Sequence, residues 1–255
     1  MNGDSLGDRM KNDYENRTRL LLPRRTNTII RVDGKAFHTF TRGMQRPFCS
    51  SFAAAMDETA EIMCRQIQGV RFGFVQSDEI SLWLTDYAGP RTSAWFDGNL
   101  QKMCSVAAST ATAVFNDVTY SINYPFPRGA MFDARVFTIP DIDEVVNYFI
   151  WRQQDATRNS ISMAAQAQFS HKELMGKSCN QMQEMLFNKG INWNDYPVRF
   201  KRGRAIVRET VTEDVMFEDK RTGEKVVAPN VERSSWVGVD PPIFTQDRTF
   251  VLGKD

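Results

Sequence analysis

A short polar segment between two apolar runs constrains the fold of this chain more than any other feature of its sequence. Val70 to Val75 and Ile80 to Leu84 have the apolar and aromatic composition typical of strands. Only Gln76 to Glu79 separates them, and so short a connection predicts a β-hairpin. Asp78 is then at or near the apex of that hairpin.

Helix and strand patterns surround the hairpin in a definite order. Apolar residues alternate with polar ones where a strand is covered on one face, and they recur at helical spacing elsewhere. The order βαββαβ predicts an α+β fold of the ferredoxin-like class, a four-stranded antiparallel sheet with two helices on one face. The elements predicted besides the hairpin are a strand over Asn27 to Phe37 with a break at Gly34, a helix from a capping Ser50 or Ser51 to Gly69, a helix over Leu100 to Phe115 and a strand over Met131 to Ile139.

The second half of the chain predicts further helices and a second hairpin. We expect a palm-like catalytic core over residues 1–140 and an extension over 141–255 packed on it. Pro241-Pro242 indicates an irregular tail. The predicted elements are a long helix from Asp141 towards Phe169, a helix over Ser178 to Phe187, and a hairpin of Gly203 to Asp219 with Glu224 to Val231 around Arg221-Thr222-Gly223.

The charge balance and the cysteines exclude several classes of protein. Lys and Arg total 32 against 31 Asp and Glu, and a net charge of +1 gives no global attraction to nucleic acid or membrane. The four cysteines form no close pair, so neither a zinc knuckle nor a dense disulfide frame is indicated. The acidic residues among the first thirty exclude a secretory signal, and no stretch approaches membrane-spanning length. We expect a cytoplasmic protein.

Two aspartates at strand ends indicate a metal site. In the predicted fold the strand that carries Asp33 lies beside the hairpin that carries Asp78, so the two carboxylates converge. Two carboxylates at so short a distance repel each other, and a bound Mg²⁺ removes this repulsion. The carbonyl of Gly34 and substrate phosphates complete the ligand shell, with Glu79 as an outer group. The alternative for each aspartate taken singly is a turn residue or a helix cap.

Cations near these aspartates could hold a triphosphate. Arg31, Lys35, Arg46 and Lys102 are candidates, although each taken singly is typical of a solvated surface charge. His38 could contact a phosphate or a base, or it could be a structural histidine.

Two other motifs have a simpler interpretation. Gly176-Lys177-Ser178 is similar to the end of a phosphate-binding loop, but the required earlier glycine is His171, so we interpret it as a helix start. Phe72-Gly73-Phe74-Val75 is similar to the base-stacking strand of RNA-recognition modules. That signature is incomplete, and a core strand is the better interpretation.

Four segments taken together resemble the tRNA-His guanylyltransferase family in order and spacing. The similarity runs from about residue 5 to beyond residue 200. The segments are Arg31-Val32-Asp33-Gly34-Lys35-Ala36-Phe37-His38, Gln76-Ser77-Asp78-Glu79, Phe132-Asp133-Ala134-Arg135-Val136 and Trp151-Arg152-Gln153-Gln154-Asp155.

The resemblance implies an enzyme with a polymerase-type palm that adds nucleotides to tRNA 5′ ends in the 3′-to-5′ direction. It implies two Mg²⁺ ions, ATP and GTP as substrates, and a homotetramer. Asp33 and Asp78 match the metal-binding aspartates, Gly34 the carbonyl ligand, and Glu79 is a further candidate catalytic residue. The implied contacts to RNA or a second triphosphate are Arg152, Arg158 and Asn159. The implied nucleotide contacts are Asp33, Gly34, Lys35, Ala36, Phe37, His38, Arg46, Ser77, Asp78 and Lys102.

One departure from the family bears on the choice of tRNA. Eukaryotic members continue Trp-Arg-Gln into His-Ile-Asn-Asn, where this chain has Thr157-Arg158-Asn159-Ser160. The Thg1-like proteins of bacteria, archaea and phages also lack that histidine, and this chain resembles them more. The resemblance thus implies templated repair of truncated tRNA 5′ ends. A non-catalytic RNA-binding sheet and a palm-type nucleotide cyclase are the alternatives.

Overall fold

A computed structural model describes residues 5–218, 221 and 223–253. Part of the turn predicted around Arg221-Thr222-Gly223, and Asp219 at the end of the strand before it, lie outside the described residues. The strands are β1 (Asn27–Gly34), β2 (Val70–Gln76), β3 (Glu79–Thr85), β4 (Phe132–Ile139), β5 (Arg204–Glu218) and β6 (Lys225–Val239).

The helices within the described residues agree with the predicted order. Three short 3₁₀ turns, Glu15–Thr18, Trp95–Gly98 and Trp193–Asp195, connect them to their neighbours. The α-helices are α1 (Leu6–Asp13), α2 (Phe37–Phe40), α3 (Ser50–Gln66), α4 (Leu100–Ser121), α5 (Ile142–Gln166), α6 (His171–Leu174), α7 (Cys179–Phe187), α8 (Val198–Arg202) and α9 (Thr249–Leu252). None of the described helices is long and apolar enough to cross a membrane.

One antiparallel sheet forms the centre of the molecule, in the strand order β4-β1-β3-β2-β5-β6. Its first four strands have the ferredoxin-like arrangement, so the predicted fold is confirmed. The predicted number of four strands in this sheet is wrong, because the terminal hairpin joins it: Gly73–Val75 of β2 pairs with Arg204–Ile206 of β5. Gly73 permits that pairing, since a Cβ there would lie 3.0 Å from Ile206 Cβ.

Each face of the sheet is covered by its own core. Ile30 and Val32 of β1 point towards α3 and α4. Ile29, the residue before Ile30, points to the other face and packs with α5. Phe72 and Phe74 are fully buried on the α5 face, which confirms their interpretation as core residues. α5 therefore covers the same face of the sheet as the side chains of Arg31 and Asp33.

Several predicted boundaries differ from the observed ones. The N-cap of α3 is Cys49, without a side-chain hydrogen bond, rather than a serine. The strand predicted to end at Val231 continues as β6 to Val239, because it stays paired with β5 as far as Ala205. The tail after Pro242 is not peripheral: Phe244 is fully buried against Phe72, which the Pro-Pro pair gave no reason to expect.

The helix starts of the second half agree with the sequence. Asp141 caps α5 through hydrogen bonds from the Asp143 and Glu144 amides, and Ser178 caps α7 in a capping box. The division into a core over 1–140 and an extension over 141–255 stays a prediction. β5, from the second segment, continues the sheet of the first.

Candidate active site

A two-residue turn at the end of the β2–β3 hairpin carries Asp78. Gln76 pairs with Glu79, which leaves Ser77 and Asp78 as the turn. Ser77 has φ +47°, a left-handed conformation that non-glycine residues adopt at a cost and that is concentrated at functional sites. The Gly34 amide donates to the Asp78 carbonyl oxygen at 3.1 Å. This bond joins the end of β1 to the hairpin, so Asp33 and Asp78 lie next to each other as predicted.

The environment of Asp78 disfavours its ionised form. Burial raises the pKa of Asp78 to about 6, and the neighbouring charge of Asp33 adds to the shift. Hydrogen bonds from its own amide and from the Ser77 hydroxyl oppose the shift in part. A cation between Asp33 and Asp78 would stabilise both carboxylates in the ionised form.

The turn after Gly34 is packed too closely for a side chain at that position. A Cβ on Gly34 would lie 2.4 Å from Phe37 Cδ2, and Phe37 is itself held between Phe115 and Phe132. Ala36 has φ +57° and lets the chain turn directly into α2. The backbone at Gly34 can therefore come close to a ligand.

A cleft of about 390 Å³ opens beside the hairpin turn. Most of the predicted nucleotide contacts with a side chain line it: Phe37, His38, Arg46, Ser77 and Asp78. Lys35 and Ala36 are exposed on the same turn without lining the cleft. The far wall comes from α5 and the residue after it, through Met163, Gln166 and Ala167, which the sequence did not indicate.

Lys102 does not belong to the cleft that a single chain forms. Thr112 of α4 accepts a hydrogen bond from the Phe132 amide, and Phe132 pairs with Gly34, so Thr112 marks the level of the aspartates. Lys102 is 10 residues earlier on the same helix, about 15 Å along its axis. Its Nζ lies 4.6 Å from the centroid of the Phe96 ring.

Glu79 lies on the α5 face, buried between two arginines. Its Oε2 is 2.8 Å from Arg31 Nη2 and 2.9 Å from Arg152 Nη1. The Ser81 hydroxyl lies behind it, 3.4 Å from Glu79 Oε1 and 2.8 Å from the Tyr148 hydroxyl. Burial raises the pKa of Tyr148 to about 12, which keeps this hydroxyl protonated. Because two guanidinium groups already neutralise Glu79, this side chain suits a position outside the ligand shell of a metal better than that of a metal ligand.

Arg152 was predicted to contact RNA or a second triphosphate, and the structure places it elsewhere. Its side chain is 3% exposed beneath the sheet, within 3.5 Å of Asp155 as well as bonded to Glu79. Arg158 and Asn159, nearly two turns further along α5, are exposed. Arg158 is paired with Asp155.

A third arginine on this face was missed by the sequence analysis. Arg135 of β4 is opposite Arg31 in the β1–β4 register, and its Nη1 is 3.9 Å from Asp33 Oδ2. Its Nη2 is 3.8 Å from Asp133 Oδ1, and the side chain is largely exposed. The sequence did contain a signal for Arg135. Asp133 and Arg135 are two residues apart in a strand and so share a face, and side chains opposed across paired strands lie on the same face of the sheet.

The donor set at the turn fits magnesium. Mg²⁺ takes oxygen ligands, often only one or two carboxylates, and keeps water and phosphate oxygens in the rest of its shell. Asp33, Asp78 and the Gly34 carbonyl are such a set. The described residues contain no group of three or more His, Cys, Asp or Glu side chains that could hold a metal.

A ferredoxin-like sheet with two neighbouring aspartates beside a cleft is the arrangement of a palm-like fold. The family model described as Thg1, tRNAHis guanylyltransferase, matches residues 7–140. A tRNA(His) guanylyltransferase of Debaryomyces hansenii is 30% identical over 213 residues, which cover 76% of this chain and 77% of the relative. The chain belongs to the tRNA-His guanylyltransferase family, and it is a nucleotidyltransferase.

Solved structures agree with this assignment. A bacterial tRNA(His) guanylyltransferase (Thg1)-like protein in complex with ATP has a TM-score of 0.82 and 43% identity, with 97% of both chains covered. Another such structure, in complex with GTP, has a TM-score of 0.75 and 42% identity over 97% of both chains. The tRNA(His) guanylyltransferase from Saccharomyces cerevisiae, at 22% identity and a TM-score of 0.69, has the same fold and covers 89% of this chain and 97% of its own.

Proposed function

We propose that this protein binds ATP and GTP and adds nucleotides to tRNA 5′ ends in the 3′-to-5′ direction, in a reaction that depends on Mg²⁺ held by Asp33, Asp78 and the Gly34 carbonyl. The observation that carries the proposal is the bond between the Gly34 amide and the Asp78 carbonyl. It joins the two acidic segments at the mouth of a cleft that Arg46 and His38 border. The family supplies the substrate, and the relatives solved with ATP and GTP support the choice of nucleotides.

The reaction has two chemical stages. First, an oxygen of the tRNA 5′-monophosphate attacks the α-phosphorus of ATP, and the bond from that phosphorus to the α–β bridging oxygen breaks, so that pyrophosphate leaves with the bridging oxygen. Next, the 3′-hydroxyl of the incoming nucleotide attacks the activated 5′-phosphorus, loses its proton and displaces AMP. A tRNA with a 5′-triphosphate bypasses the first stage, because pyrophosphate is then the leaving group of the second.

The residues of the cleft position the reactants. Arg46 binds the triphosphate and Ser77 borders the same phosphates, while the Lys35 to His38 turn lines the nucleotide. When bound, magnesium neutralises charge on the phosphates and lowers the pKa of the attacking hydroxyl. Arg152 keeps Glu79 in place behind Asp33 and does not contact RNA.

The choice of tRNA follows from Thr157 in place of the eukaryotic histidine. Without that histidine we expect several tRNAs with truncated 5′ ends to be substrates, and base pairing with the opposing strand to select the nucleotide. A mismatch displaces the attacking hydroxyl, and small misplacements cost about a hundredfold in rate. Arg158 and Asn159, exposed on α5, are the proposed RNA contacts. The homotetramer and the cytoplasmic location stay predictions.

The experiment that tests the proposal supplies magnesium and all four nucleotides, one at a time, to truncated tRNAs that carry a 5′-triphosphate, and therefore need no activation by ATP, and that differ only at the template position. The proposal expects the added base to pair with the template base. Addition of G whatever the template favours a dedicated guanylyltransferase. Conversion of a nucleotide without RNA favours a nucleotide cyclase, and no incorporation at all favours a non-catalytic RNA-binding sheet.

A further inference from the structure

A groove of about 670 Å³ lies against the outer side of α5. The helix contributes residues between Ile150 and Arg158, and the opposite wall comes from Trp193, from Arg202 at the end of α8 and from Thr245 in the C-terminal tail. The volume is within the range of about 300–1,000 Å³ that is usual for ligand sites. The groove shares no lining residue with the catalytic cleft, so it is a separate site.

The groove lies at the level of the catalytic turn. Arg152, within the stretch of α5 that lines the groove, donates to Glu79, and Glu79 follows Asp78 directly. The later part of the same helix forms the far wall of the catalytic cleft, so α5 lies between the two spaces. A helix is about 10–12 Å across with its side chains, and three stacked nucleotides of one strand span that distance at about 3.4 Å each.

The charge of the groove favours a polyanion. Arg158 and Arg202 line it, and none of the described lining residues is an Asp or a Glu. The side chain of Arg202 is half-buried, and it forms no hydrogen bond or ion pair with the described part of the chain. Arg158 is paired with Asp155, but its side chain is 61% exposed. The Arg202 guanidinium is therefore free to bind a phosphate.

An exposed tryptophan adds a surface for stacking. Trp151 is 47% exposed and lines the groove. The guanidinium of Arg152 covers one face of its ring, 3.3 Å from the centroid, and the Tyr148 ring meets it edge to face at 5.9 Å. These contacts hold the ring in place for an unpaired base to stack on it. Aromatic rings combined with cations are how proteins bind single-stranded nucleic acid without reading its sequence.

We propose that this groove binds the unpaired 3′ strand of the tRNA, beyond the nucleotide that serves as template. The inference rests on the proposed function, which places the 5′ end of the tRNA at Asp33 and Asp78. The template nucleotide lies opposite that end, and the 3′ strand continues from it without a partner strand. One base of this strand stacks on Trp151, and Arg202 binds one of its phosphates. Because neither contact depends on sequence, the groove accepts the 3′ strand of any tRNA.

The binding of two truncated tRNAs to the full chain tests the inference. One tRNA has its complete 3′ single strand, and the other ends at the template nucleotide. Fluorescence anisotropy gives the Kd of each. The wild type should bind the trimmed tRNA about tenfold more weakly, a loss on the scale of one stacked base. Trp151→Ala and Arg202→Ala should each weaken binding of the complete tRNA about as much, and should leave binding of the trimmed tRNA unchanged.

Two control variants separate the groove from effects on folding or on total charge. Trp151→Phe keeps an aromatic ring and should retain most of the affinity for the complete tRNA. Arg91→Ala removes an exposed arginine beyond the end of β3 that is opposite the catalytic turn, and should leave both Kd values as they are. Arg202→Ala should also reduce the slope of log K against log salt by about 0.7, as expected for one phosphate of a single strand, whereas Arg91→Ala should not.

Equal binding of the two tRNAs by the wild type would overturn the inference, and so would unchanged binding of the complete tRNA by both groove variants. Equal losses on both tRNAs would overturn it too, because the groove would then hold a paired part of the tRNA. A changed oligomeric mass in Trp151→Ala would assign the groove to a contact between copies of the chain instead. A wild-type chain that binds neither tRNA contradicts the proposed function itself, so the two failures are distinct.

Discussion

Arg152 donates a hydrogen bond to Glu79 across the interface between α5 and the sheet, at 2.9 Å and out of contact with solvent. The same carboxylate oxygen is 2.8 Å from Arg31, which in turn is 3.5 Å from Asp33. Glu79 follows Asp78 directly, so its buried carboxylate connects the Ser77-Asp78 turn to both α5 and β1. This connection fixes the position of the turn relative to the helix that forms the far wall of the cleft.

Arg152→Met should destabilise the protein by about 3 kcal/mol, because it leaves Glu79 buried with only one of its two cations. The double variant Arg152→Met/Glu79→Gln should regain at least about 1 kcal/mol, since it removes the uncompensated charge. Urea denaturation measures both. Arg158→Ala, at an exposed ion pair on the same helix, is the control and should change stability by less than about 0.5 kcal/mol. Equal effects of Arg152→Met and Arg158→Ala would contradict this role.

The pKa of Asp78 predicts how metal-free stability depends on pH. Folding raises this pKa to about 6 from 3.8, so the native state favours the protonated carboxyl. The stability that protonation contributes is lost as the pH rises through about 6. Asp78→Asn, which stays neutral, should therefore be more stable than wild type above pH 6 in EDTA and should lose that advantage below about pH 4.

Thermal unfolding over pH 4 to 8 checks this expectation, with the exposed Asp117→Asn as the control. Added Mg²⁺ should raise the Tm of the wild type and not that of Asp78→Asn, because only a ligand that binds the native state stabilises it. A magnesium effect of equal size in both proteins would remove Asp78 from the metal site.

Gly34→Ala should cost about 2 kcal/mol of stability and most of the activity. Its methyl group would meet the buried Phe37 ring at 2.4 Å, and that ring cannot move without displacing Phe132. Gly89→Ala is the control, because its nearest new contact is an ordinary 3.6 Å from Thr92. Chemical denaturation and nucleotide addition should be measured on both, and a fully stable Gly34→Ala would show that the turn is less constrained than its packing indicates.

Arg46→Ala should raise the KM for nucleotides about tenfold and change stability by less than about 0.5 kcal/mol, since Arg46 is exposed at the cleft. Arg42→Ala removes another exposed arginine of the same loop, one that does not line the cleft, and should leave the KM as it is. Kinetics across a nucleotide titration separate the two. The same KM for both variants and the wild type would exclude Arg46 from triphosphate binding.

The parts of the site that depend on local pattern could be predicted from the sequence. The short polar segment after β2 specifies the turn at Asp78, and alternation along β1 places Asp33 on the opposite face from Ile30 and Val32. The predicted βαββαβ topology then places β1 beside the hairpin and brings the two aspartates together.

The parts that depend on distant segments could not be predicted. Arg152 follows an exposed Trp151 on α5, and only the rotation of the helix against the sheet turns one inward and the other outward. Lys102 matched a basic position of the family, but the direction of α4 puts it at the other end of the sheet. The docking of β5 on β2 likewise depends on Gly73, a single glycine whose partner lies more than a hundred residues away.

The most direct test of the proposed mechanism is to map where a labelled nucleotide enters a tRNA that lacks its first residue, with wild type and Asp78→Asn in parallel and Mg²⁺ present. We expect the wild type to place the label at the 5′ end, joined through its 3′-hydroxyl, and Asp78→Asn to incorporate at least about a thousandfold more slowly, since each ~1.4 kcal/mol lost from the transition state is a factor of ten. Label at the 3′ end, or comparable incorporation by Asp78→Asn, would contradict it.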